Sequence, residues 1–329
     1  MDLPVHAAST DDGMELYATG FNAWNQLVFE PSPSEEPDDI FTFSRELTGN
    51  SISRVVPDIS FTAVQRNDTW VVAGGPASRS LYSKDNKRFL FDSISAISGD
   101  DKVLMAQDLD PLHPAQAIVE YSSLAAWNAN DSTNTWPCKS PVRQIVAHDV
   151  GFVILLGDGS VLSCGDPRFQ DCLGRVVDES CPPHIPSLVP DLSDLGEPVK
   201  KISANGYIIA ALTEGGGLYL WGMQSPGSYN RHNAFTDLDA IPNYVEVDGD
   251  KDVQDIAVGE SHAIALTTDG CVYVMGDNTN GQIGLGWDAR EPVKSWSKMN
   301  FKPSPGWEVV AVEAGTKSSF IVTAKAKPK

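Results

Sequence analysis

Short runs of alternating apolar and polar residues, each closed by a glycine, recur along the chain, and the best preserved set lies within 252–286. There the pattern predicts strands over 256–258, 263–267 and 272–275, with turns at Gly259 and at Asp269-Gly270 and a strand exit at Gly276. An Asp-Gly pair between two alternating runs is a strong hairpin signal, because glycine reaches positive φ without steric penalty.

The same order returns upstream with Asn205 and Gly222, and again with Asp149 and Gly165. Turn residue and terminal glycine stand 17, 17 and 16 residues apart in these copies (259→276, 205→222, 149→165). A step this constant is the mark of a repeat architecture. A worn copy runs from Ser60 to Gly75. Another begins around Gly99, where the stretch DLDPLHP is expected to displace the third strand to about 117–121. The last copy has its turn at Gly315 and a strand over 320–323, then runs out. The strand it lacks is found in ELYATGFNAWNQL (15–27), which exits at Gly20.

A circular array accounts for both ends, since pairing the first strand with the last blade removes exposed sheet edges. Turn positions at Ser60, Gly99, Asp149, Asn205, Gly259 and Gly315 give six blades, and a degenerate seventh between 81 and 136 is the alternative. The expected fold is an all-β, closed β-propeller, one domain over 1–329, its N-terminal strand completing the C-terminal blade. An open two-sheet sandwich is the rival architecture.

Charge narrows the partners. A net charge of −20 and a pI near 4.5 oppose DNA or chromatin, whose non-specific affinity comes from Lys and Arg neutralising phosphates. The visible basic patch is the tail 324–329, expected to fray. The acidic, proline-rich stretch 30–39 reads as a mobile loop that solubilises the chain or steers a basic partner. No run of eighteen apolar residues occurs, and the first residues lack a basic-then-apolar secretory pattern. A soluble protein of the cytoplasm is expected, with the nucleus open to it. Five cysteines, an odd number without a CxxC pair, read as reduced thiols.

Chemistry is harder to find. The chain has no P-loop, no GxSxG elbow and no HExxH helix. Asp248, Asp250 and Asp252 imitate the start of a calcium loop, but Val253 and Gly259 stand where it needs glycine and an acid. Cys172, Cys181 and His184 lack a fourth ligand at structural-zinc spacing. No catalytic set, metal site or cofactor is therefore expected in this chain. Trp70 and Trp221 fall inside strands and read as core. Trp24, Trp287 and Trp296 follow terminal glycines, where loops emerge, and are the candidate partner anchors, because tryptophan buries a large area with few rotors. The alternative is that they only cover blade ends.

The segment HAIALTTDGCVYVMGDNTNGQIGLG resembles the repeat of the regulator-of-chromosome-condensation family, with His262 after the turn and the series Gly276, Asn278, Gly281, Gln282, Gly284. The resemblance is specific in this blade, good in the two before it and weak over 28–140. It implies an architectural role for Gly20, Gly165, Gly222, Gly259, His262, Gly276 and Gly315, with Asn278 and Gln282 satisfying loop backbone groups. Within the family, the short chain and the LYATGFNAWNQL start are similar to the alpha-tubulin-suppressor, or killer-toxin-insensitivity, branch. That likeness implies a heterodimer with a small zinc- or iron-binding protein of the CSL zinc-finger type. The pair would act in diphthamide synthesis on elongation factor 2 and, with Elongator components, in modification of tRNA wobble uridines. The family equally implies the alternative of guanine-nucleotide exchange on a small GTPase.

Overall fold

The computed structural model describes residues 13–30, 36–75, 81–83, 88–110, 113–223, 234–235, 238–289 and 291–326. They build six antiparallel blades, taken here in chain order. Blade I begins with β1 (Met14–Gly20) and β2 (Ile40–Gly49), and blade II is β3 (Ile52–Pro57), β4 (Phe61–Arg66) and β5 (Thr69–Gly74). A small hairpin follows, β6 (Tyr82–Ser83) with β7 (Arg88–Phe89). Blade III is β8 (Ser95–Ile97), β9 (Val103–Asp110), β10 (His113–Tyr121) and, after helix α1 (Leu124–Ala129), β11 (Asn134–Pro137). Blade IV is β12 (Val142–His148), β13 (Gly151–Leu156), β14 (Val161–Gly165) and β15 (Ser187–Leu188). After helix α2 (Pro190–Ser193), blade V is β16 (Val199–Asn205), β17 (Ile208–Thr213), β18 (Leu218–Gly222) and β19 (Asn243–Tyr244). Blade VI is β20 (Val253–Val258), β21 (His262–Thr267), β22 (Val272–Gly276) and β23 (Val293–Lys298); β24 (Trp307–Gly315) and β25 (Ser318–Lys325) then return to blade I.

These blades fall into two compact units. One holds blades I, II and VI (1–78, 226–236, 246–329), the other blades III, IV and V (79–225, 237–245).

Second strands explain why the strict alternation weakens. In β13, β17 and β21 every residue is buried, so GFVILL, IIAALT and HAIALT read as near-continuous apolar runs. A strand covered on both faces has no polar side to show. The cores lie between neighbouring blades. Leu16, Ala18, Leu47, Val55, Val64, Phe320 and Val322 pack blade I on blade II, while Ile264, Val274, Val312 and Ile321 pack blade VI on blade I. In the other unit Val153, Ile202, Ile209 and Trp221 join blades IV and V.

First strands carry a repeated irregularity. The register shifts between Ile52 and Arg54, Val142 and Gln144, Val199 and Lys201, Val253 and Asp255, and Val309 and Ala311. A bulge re-aims the side chain it releases. Gln144 thereby grips the first strand of blade V: its Nε2 donates to Ile202 O at 2.6 Å and its Oε1 accepts the Ile202 N–H at 3.0 Å. Asp255 accepts the Val312 N–H of blade I at 2.8 Å.

β1 closes blade I from inside. It lies between β25 and β2 in the order β2-β1-β25-β24, pairing from Met14↔Ala324 to Gly20↔Ser318 on one side and from Met14↔Gly49 to Gly20↔Ile40 on the other. Leu16 and Ala18 are fully buried. On the other face, buried Glu15 meets the Arg45 guanidinium at 2.8 Å and accepts the Tyr17 hydroxyl at 2.8 Å.

The expected count of six stands, since between 81 and 136 the described residues give the β6/β7 hairpin and blade III. Other expectations change. The third strand expected at about 117–121 is β10, which begins earlier, at His113, and pairs with β9 from Val103↔Tyr121 out to Asp110↔His113. Lys325 of the tail sits in β25, paired with Trp307, whereas 327–329 lie outside the described residues.

Because β1 contributes two ladders and two core side chains, removing residues 1–27 should abolish the cooperative melting transition and drive aggregation. Leu16→Ala should cost about 2–5 kcal/mol in a denaturant titration. A truncated chain that stays monomeric with an unchanged melt would contradict this role for β1.

Candidate functional site

Blades VI and I meet at their turns. The Glu260 N–H donates to Thr316 O at 3.1 Å, and the loops that leave β22 and β1 hang from the same turns, through the Asp277 N–H on Ser261 O and the Phe21 N–H on Lys317 O. The exits are tight. A Cβ on Gly276 (φ 117°) would lie 2.3 Å from the His262 Cα, and one on Gly259 would lie 2.0 Å from the His262 ring. Gly20 and Gly222 leave their strands in the same way, Gly165 ends β14, and Gly315 closes the β24 turn against Pro57.

The two loops share one hydrogen-bond frame. Asn278 Oδ1 accepts the Ile283 N–H at 3.2 Å, and Asn22 Oδ1 accepts the Leu27 N–H at 2.9 Å. Gln282 Oε1 accepts the Asn280 N–H, and Gln26 Oε1 the Trp24 N–H, both at 2.9 Å. Each loop then latches onto the next blade. Gly281 O accepts the Thr19 hydroxyl and Gln282 O the Ser319 hydroxyl, while Gln26 Nε2 donates to Ile59 O in the turn of blade II. Asn278 and Gln282 thus satisfy loop backbone, as expected, and Asn22 and Gln26 do the same work in blade I.

This frame puts Trp24 at the position of Asn280, standing out 53% exposed beside Gly75. Trp287, 58% exposed, lies further along its loop, edge-on to Phe41 with ring centroids 4.5 Å apart. Asp39 ties the two loops together, its Oδ1 accepting the Asn22 N–H at 2.9 Å and its Oδ2 the Asn280 amide at 2.8 Å. Two findings depart from the sequence reading. Trp296 is not in a loop but in the outer strand β23, half-buried. The acidic stretch is anchored at its end by Asp38 and Asp39, and its residues 31–35 lie outside the described residues. Asn22, Gln26, Asp39 and Phe41 went unnoticed in the sequence, although the Asn-x-x-x-Gln spacing of 22–26 repeats that of 278–282.

The remaining polar candidates are accounted for locally. Asp248 accepts the Tyr273 hydroxyl at 2.6 Å and meets Lys251, which also bonds Asp269. Cys172 is buried against Tyr207 O, and Cys181 sits in a turn whose carbonyl accepts from Arg175. Among the described residues no three His, Cys, Asp or Glu side chains gather as a metal site.

Residues 253–282 and 269–322 match two family models, each described as a regulator of chromosome condensation (RCC1) repeat. Over 253–322 the chain matches the RCC1 repeat. It is 35% identical over 140 residues to the human E3 ubiquitin-protein ligase HERC2, covering 42% of this chain and 3% of that protein. It is 29% identical over 206 residues to the Xenopus laevis regulator of chromosome condensation, covering 61% of this chain and 44% of that protein. The chain therefore spans well under two thirds of these relatives. Among solved structures it is similar to Prp20p of Saccharomyces cerevisiae (TM-score 0.64, 12% identity, 100% of this chain and 94% of that one). It is also similar to human WBSCR16 (TM-score 0.57, 16% identity, 96% and 100%). These likenesses show the fold, an all-β, six-bladed β-propeller of the RCC1 type.

The repeat histidine is structural. The buried His262 ring donates through Nε2 to Ser318 O at 3.1 Å, and its Nδ1 has no partner among the described residues. His148, at the end of β12, is also buried, with neither ring nitrogen paired among the described residues. Loss of hydration on burial holds both down to about 4 from an ordinary 6.5. Between those values the unfolded chain binds protons that the folded chain refuses, so stability is full above about pH 6.5 and falls as pH drops towards 4. Two such groups give a slope of up to about 3 kcal/mol per pH unit. Urea titrations across pH 4–7 should show this fall, and His148→Phe should reduce the slope by about half; an unchanged slope would contradict the assignment.

Proposed function

We propose that this propeller works by binding rather than by catalysis, and that its docking surface is the end of blades I and VI that carries Trp24 and Trp287. The observation that carries this reading is the exposure of two indoles on rigid loops. Trp24 is fixed through its own N–H to Gln26, and Trp287 rests on Phe41. Exposed tryptophans on pre-ordered backbone lose little entropy on binding and are typical interface anchors. The partner we propose is a small CSL-type zinc- or iron-binding protein, which supplies whatever metal the complex holds. The resulting heterodimer would serve diphthamide synthesis and Elongator-dependent tRNA modification in the cytoplasm, with access to the nucleus. Support for this finer reading is the strand and loop 14–27, whose sequence resembles that branch of the RCC1 repeat proteins.

The alternative is nucleotide exchange on a small GTPase, favoured by the likeness to Prp20p, a protein described as binding Gsp1p and histones. The net charge of −20 opposes chromatin tethering.

Titration calorimetry with the CSL-type protein should show Trp24→Ala and Trp287→Ala each weakening binding by about 1–3 kcal/mol, and Trp296→Ala by less, with circular dichroism unchanged. Unaltered affinity in both loop variants would contradict the docking surface. Acceleration of nucleotide release in a panel of small GTPases would favour the alternative.

A further inference from the structure

The loops that present the two indoles are joined by one carboxylate. Asp39 links the Trp24 loop to Asn280, and Phe41, two residues on, supports Trp287. Asp38 is exposed, with its Oδ1 accepting the Asp39 N–H, and Glu36 is exposed beside it. These side chains meet N–H donors of their own loops or solvent, and none forms an ion pair among the described residues. Elsewhere in the same unit Asp248 and Asp269 are each matched by Lys251. The face thus offers apolar ground at both sides, Trp24 at one and Trp287 with Phe41 at the other, and unneutralised negative charge at the link between them.

Taking the docking surface proposed above as given, we infer that its occupant is a polypeptide segment in which Lys or Arg alternates with apolar residues. The apolar groups cover the two indole patches. The cations meet the carboxylates of Glu36, Asp38 and Asp39 and lie over the indole faces, where tryptophan is the strongest π partner for a cation. The chain's overall charge of −20 draws such a segment in and repels an acidic one.

The full chain, labelled with 15N at its tryptophans, separates the possibilities. Trp24→Phe and Trp287→Phe assign the two indole N–H signals. The probes are two end-blocked twelve-residue peptides of equal apolar content, one with lysine and one with glutamate at every second position. The lysine peptide should shift both indole signals in a saturable way, and the glutamate peptide neither. Glu36→Lys combined with Asp38→Lys, which leaves the Asp39 clamp intact, should weaken the lysine peptide at least five-fold. Equal response to both peptides, no response to either, or a response untouched by the charge reversal would overturn the inference. Retained binding of the CSL-type protein through Trp24 and Trp287 alongside any of those results would remove only the cationic occupant. Loss of that protein's dependence on the two tryptophans would strike the docking surface itself.

Discussion

The insertion of β1 between β25 and β2 is the interaction on which the rest of blade I depends. Seven residues at the N-terminal side of the fold supply the middle of a four-stranded sheet, bury Leu16 and Ala18 between blades I and II, and hold Arg45 through a carboxylate already buried at Glu15. Hydrogen bonds on both edges of a strand fix its register, and a slip by one residue would turn Leu16 out and Glu15 in. That register also sets where β1 ends. Gly20 turns the chain directly over Ser318, so the loop carrying Asn22, Trp24 and Gln26 can start nowhere else. The exposed indole is a consequence of the strand pairing.

Rigidity comes from a second, repeated device. Bulges in the first strands release Gln144 and Asp255 to bond the backbone of the neighbouring first strand. At the blade ends Gln26 donates to Ile59 O, and the Gly281 and Gln282 carbonyls accept the Thr19 and Ser319 hydroxyls. Each contact satisfies a backbone group across a blade junction, and such a group left buried and unpaired costs about 1–3 kcal/mol. Loops latched in this manner present Trp24 and Trp287 without first having to order. The buried His262 imidazole belongs to the same scheme, bridging the blade VI turn to Ser318 of blade I.

The parts of this fold visible in the sequence were those with a local signal. Gly259, His262 and Gly276 marked blade VI because turn, second strand and exit follow within 18 residues, and the same spacing revealed blades IV and V. Outer strands gave no such signal. β15 and β19 are two residues long, too short for any period, and the exposed VKSWSK of β23 has no buried face to impose one, so Trp296 was read as loop. Bulges were invisible because one extra residue in a strand leaves the apolar content unchanged. Asp39 lies 241 residues from the Asn280 amide it accepts, and no local pattern ties them. The equivalence of Asn22 and Gln26 to Asn278 and Gln282 was legible in the spacing, but Trp24 in place of Asn280 and the missing glycines of the 28–140 region masked it.

Hydrogen exchange of the intact chain tests the role of β1 most directly. If β1 is an integral middle strand, the amides of Leu16 and Ala18 should exchange only through global unfolding, as slowly as those of Phe320 and Val322 beside them. Fast exchange across 14–20 with β25 still protected would show a strand that frays independently, and would contradict the account.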